Sequence, residues 1–152
     1  MAYTDAQARQ QLLDTLAEAT DEIGIALAFV GDAYELLDEN TADTVEQELF
    51  RPLQTAYGRS QRTHAEFAER HDLPTRAFAP APAGAPSRGV KGLLDSAIDA
   101  AETADGRLSA LQDSMLPVEV GDPPLRAGLG EVRRLIGDLR GRARELVRTL
   151  GR

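Results

Sequence analysis

The chain of 152 residues contains no cysteine, so disulfides and thiolate metal sites are both excluded and nothing follows about redox compartment. Aromatics are scarce, at 5% of residues, and none occurs after Phe78. A surface that binds single-stranded nucleic acid stacks bases on aromatic rings, and the C-terminal part of the chain has none to offer. No apolar run approaches the roughly 20 residues that cross a bilayer. The start, "MAYTDAQARQQ", lacks the basic and apolar regions of a signal peptide. A soluble, cytoplasmic protein with no membrane partner is the expectation.

Lysine is nearly missing too. Of 17 basic residues 16 are arginine, which beside abundant Ala and Gly points to GC-rich codon usage more than to chemistry. The net charge of −8 disfavours nucleic acid or an anionic membrane as partner. The charge is unevenly spread: residues 1–40 carry nine acids against Arg9, and residues 123–152 carry eight arginines against Glu131, Asp138 and Glu145.

What is present is helical periodicity, in a chain long enough for one domain with a core and too short for two. Leu12, Leu16, Ala19, Ile23, Ala26, Val30, Ala33 and Leu37 recur at alternating spacings of four and three, with Thr4 as a cap and Asn40 as a stop. Val90, Leu94, Ala97, Ala101, Ala104, Leu108, Leu111 and Met115 repeat the pattern after Ser87 as N-cap. So do Leu125, Leu129, Val132, Ile136, Leu139, Ala143, Leu146 and Leu150, after Asp122 as cap and Pro123 in the first turn. The second segment is less regular, and Pro52 predicts a kink near Glu48–Pro52 or a new start there.

The pattern predicts an all-α fold: a single four-helix bundle, antiparallel and up-down-up-down, with helices at about 5–39, 42–71, 88–115 and 123–150. The short connections "DENTADT" and "LPVEVGDPP" force antiparallel neighbours. The Pro/Ala-rich segment 73–87, "LPTRAFAPAPAGAPS", is an extended connector able to reach a neighbouring or a diagonal corner. Small core residues such as Ala19, Ala26, Ala97 and Ala104 suit either close packing or a cavity, and sequence does not choose between them.

Inside the first helix, "IGIALAFVG" (residues 23–31) has no polar side chain even where the helix should be wet. The register points Gly24, Ile25, Ala28 and Gly31 away from the core, with Phe29 or Leu36 at the edge. Mid-helix glycines cost roughly 1 kcal/mol each against alanine, a cost that close approach of another helix offsets. Gly24, Ile25, Ala28, Phe29 and Gly31 are therefore the expected interface of a homodimer.

Catalytic motifs are absent. A di-iron bundle needs Glu-x-x-His, and the residues three before His64 and His71 are Gln61 and Ala68. Phosphotransfer helices carry Lys and Gly after their histidine, whereas this chain reads "THAEFAER". No metal, cofactor or catalytic residue is expected. Tyr57, His64 and His71 form a stripe at seven-residue spacing that is the one candidate for a ligand, cofactor or metal role. Two helical turns, roughly 10.5 Å, are too far for the histidines to share a metal directly. Arg126, Arg133, Arg134, Arg140, Arg142, Arg144 and Arg148 suit intrahelical pairing with nearby acids, or an acidic protein partner. The leading expectation is a non-enzymatic interaction or assembly module that self-associates through helix one, and the alternative is a small-ligand or metal-binding bundle.

Overall fold

A computed structural model of the chain describes residues 2–79 and 89–150. Among these residues the fold is all-helical, with no strand. The helices are α1 (Ala2–Glu35), α2 (Glu39–Val45), α3 (Arg51–Arg70), α4 (Val90–Asp113), α5 (Leu116–Val120), α6 (Pro123–Gly137) and α7 (Leu139–Leu150). A π-helical turn, Glu46–Phe50, joins α2 to α3. The Ser87 cap and most of the Pro/Ala connector lie outside the described residues.

Several expected boundaries move for local reasons. Thr4 lies inside α1, which begins at Ala2. Asn40 lies inside α2, whose cap is Asp38, its carboxylate accepting from the Thr41 N–H at 2.8 Å. The irregularity before Pro52 takes the form of the π turn, where the Arg51 N–H reaches back to the Glu46 carbonyl. That shift places Pro52 in the first turn of α3, where its missing donor is not needed. The third helix stops at Asp113, and Met115, expected in the core, takes φ of 70° and is 52% exposed. The fourth breaks at Asp138 between α6 and α7.

The heptad positions make the core. From α1 Leu12, Leu16, Ala19, Ile23, Ala26, Val30 and Ala33 are buried, against Leu94, Ala97, Ala101, Ala104 and Leu108 of α4 and Leu125, Leu129, Val132 and Ile136 of α6. At roughly 1.5–3 kcal/mol for each large side chain taken out of water, this is the main driving force. Buried hydroxyls satisfy themselves within their own helices: Thr20 donates to the Leu16 carbonyl and Thr63 to that of Arg59, both at 2.8 Å.

Topology follows from the cross-helix pairs. Arg70 meets Asp122, Arg59 meets Glu131 and Glu48 meets Arg142, so α3 runs antiparallel to α6 and α7. Asp105 meets Arg133 and Glu102 meets Arg140, so α4 is antiparallel to them as well. Hence α3 and α4 are parallel, and the order is up-down-down-up, which corrects the expected up-down-up-down.

The cause is the segment after α3, which turns back on itself. Asp72 adopts φ of 55° and the Leu73 N–H donates to the Ala68 carbonyl at 2.8 Å. Beyond it Arg76 pairs with Asp21 of α1 at 2.7 Å and Phe78 lies against His64, one and a half turns before the end of α3. The chain thus retraces α3, and α4 sets out from the end where α3 began. Contacts run α1 to α3 and α4, and α6 to α3 and α4, leaving α1 and α6 at opposite corners.

Candidate functional site

The stripe Tyr57, His64, His71 is split among three separate packing roles. Tyr57 is 8% exposed and lies over Gly24 of α1: a Cβ there would stand 3.2 Å from Tyr57 Cε1 and 3.3 Å from its hydroxyl. Gly24 therefore faces α3, not the outside, and its lack of a side chain makes room for the ring. Burial, with help from Asp21, pushes the Tyr57 hydroxyl above its ordinary value, so it stays neutral.

His64 is 3% exposed, with Phe78 edge-on at 5.1 Å between ring centroids. Its Nδ1 is buried and makes no hydrogen bond to the described residues. Burial, and then the Arg76 guanidinium, lower its pKa against the opposing pull of Asp14 and Asp21 on α1. The folded protein therefore prefers the neutral ring. The unfolded chain takes up a proton near the ordinary 6.5, so stability is held above that pH and lost as pH falls below it. Urea midpoints should decline from pH 7 to pH 5 in the native chain and decline less in His64→Phe; equal slopes would remove His64 as the cause.

His71 closes α3. Its Nε2 meets Asp122 Oδ2 at 2.8 Å, while Arg70 Nε and Nη2 donate to the two oxygens of the same carboxylate at 3.0 and 2.7 Å. Asp122 also accepts from the Leu125 N–H at 2.9 Å, so it is the expected cap of α6 and an ion-pair anchor at once. Burial alone would raise its pKa, but the Arg70, Leu125 and His71 hydrogen bonds outweigh that and hold the carboxyl below the ordinary 3.8. The cap was visible in the sequence, whereas its role as partner to residues 51 and 52 positions earlier was not.

The three stripe residues thus face Gly24, Phe78 and Asp122, and they do not converge. Among the described residues no group of three or more His, Asp or Glu side chains is placed to hold a metal. Two open surface grooves, one between α4 and α7 and one between α3 and α6, each enclose about 550 Å³.

The expected interface residues divide in the same way. Gly24 is buried, while Ile25, Ala28, Phe29 and Gly31 are half-buried. Ile25 and Phe29 rest partly on the core, and a Cβ on Gly31 would meet no atom within 4 Å. Leu36, just past the helix, is 55% exposed, and Tyr34 is 37% exposed above a cleft shared with Gly31 and Phe50. The C-terminal half of α1 therefore carries an apolar face that the protein itself only partly covers.

The arginines pair more across helices than within them. Arg133 binds Asp105 at 2.9 Å and Gln112 at 2.8 Å, and Arg140 binds Glu102. The Arg148–Glu145 pair, at 3.4 Å, is intrahelical. Arg142 has looser contacts of 3.6 Å to Glu48 and 3.5 Å to Asp138. No helix among the described residues is long and apolar enough to cross a membrane. Comparison of the chain with protein families, curated proteins and solved structures finds no match.

Proposed function

We propose that the chain is a non-enzymatic assembly module, a four-helix bundle with one long crossover, that self-associates through the outer face of α1. The observation that carries this reading is the half-buried set Ile25, Ala28 and Phe29, continued by the exposed Leu36. At 100° per residue Ile25, Ala28 and Phe29 lie within one third of the helix circumference, so a single partner surface covers all three. An apolar face rimmed by charge is the usual mark of a protein interaction site. Against the ligand-binding alternative, Tyr57, His64 and His71 lie beside Gly24, Phe78 and Asp122 in turn and do not converge on one site.

Sedimentation equilibrium over a range of concentrations tests this reading. The native chain is expected to exceed the 16.4 kDa of one chain, and Ala28→Arg to return it to that mass with its helical content unchanged. Equal masses for the two proteins would overturn it.

A further inference from the structure

We infer that the surface meeting α1 is a different one: the arginine-lined groove between α3 and α6 of a second copy, so that the chains join head to tail. The inference rests on the α1 reading above and names the partner of that site.

Two copies of α1 face to face are a poor pairing. Glu22, Asp32 and Glu35 share the outer arc of α1 with Ile25, Ala28 and Phe29, and none has an ion pair or hydrogen bond among the described residues. A two-fold seam would bring these acids against their own copies, in a chain that already carries a charge of −8.

The groove has the opposite character. It is about 550 Å³, lined by Arg51, Arg134 and Arg142 over Pro52 and Leu135, with Asp138 as its acid. Arg51 and Arg134 have no partner among the described residues, although acids outnumber bases in the chain by 25 to 17. Arg142 is held only by its contacts of 3.5 and 3.6 Å. Guanidinium groups bind carboxylates by paired, directional hydrogen bonds, so the rim suits Glu22, Asp32 and Glu35. The half-buried Pro52 and Leu135 supply a floor for Ile25 and Phe29. Each surface thus offers the charges that the fold leaves unpaired, of opposite sign, beside apolar residues.

Because α1 and α6 occupy opposite corners, both surfaces of one chain are open at once. A contact between two different patches does not close on itself as a two-fold pair does, and it builds a ring or a growing chain.

Charge reversal tests this on full-length protein. Glu22→Arg with Asp32→Arg inverts the face, and Arg51→Glu with Arg134→Glu inverts the groove; all four are surface positions with no partner to lose. At about 50 mM salt, where screening is weak, native mass should rise beyond two chains with concentration. Each double variant alone should sediment as one chain, and an equimolar mixture of the two should regain multi-chain mass. If the groove variant associates like the native protein while Ala28→Arg does not, the groove is wrong and self-association through α1 stands. If the native chain stays single at every concentration, both are wrong. A mixture that stays monomeric would also overturn the groove.

Discussion

Asp122→Ala is expected to cost about 3 kcal/mol of folding stability, the largest single-residue effect outside the hydrophobic core. Two losses add. Removing a side-chain cap costs typically about 1 kcal/mol. Removing the anion that Arg70 and His71 share costs roughly another 2 kcal/mol, a figure for charge-assisted hydrogen bonds that allows for Arg70 being 35% exposed. Asp122→Asn separates the two, because asparagine still caps the helix but carries no charge; about two thirds of the loss should remain. The same carboxylate sets an acid limit. Its pKa is held below 3.8, so its contribution is present above that value and disappears as pH falls through the lowered one. Urea unfolding of the three proteins from pH 7 to pH 3 checks both points, and an Asp122→Ala chain within 0.5 kcal/mol of native would show that the anchor is decorative.

Gly128→Ala is expected to destabilise by about 2 kcal/mol, although alanine is the better helix former by roughly 1 kcal/mol. An added Cβ would overlap the Thr63 hydroxyl and stand 2.7 Å from Thr63 Cγ2 and 3.1 Å from its Cβ. Rotating Thr63 exchanges one clash for another, so α6 would have to withdraw from α3. Thr63→Ala in the same chain removes the two outer atoms, and the double variant should be at least about 1 kcal/mol more stable than Gly128→Ala alone. Additive effects would place the close approach elsewhere. The contact has a functional consequence: it sets the spacing of α3 and α6, whose groove Arg51 and Arg134 both line.

The helices and their buried faces were legible because burial repeats every three or four residues and leaves a periodic trace. Leu12 to Ala33, Leu94 to Leu111 and Leu125 to Leu146 carried that trace, and these heptad positions are buried. The direction of α4 left none. It depends on Asp72 turning the chain back and on Arg76 and Phe78 finding Asp21 and His64, contacts between residues far apart in sequence. Met115 looked like one more core position because a heptad count does not register a left-handed turn. Gly24 was legible as a close approach, but its partner was Tyr57 of the same chain, and a glycine does not say which helix comes near. Ile25, Ala28 and Phe29, read as outward or flanking, are half-buried, and Ile25 and Phe29 rest partly on the core.

Those three residues bear the most weight, and a native mass spectrum of the unmodified chain, purified without added ligand, tests them most directly. Bare multiples of 16.4 kDa, growing with concentration, are the expected result. A single chain carrying extra mass that vanishes in Tyr57→Phe or His64→Phe would contradict it and restore the ligand-binding reading in its place.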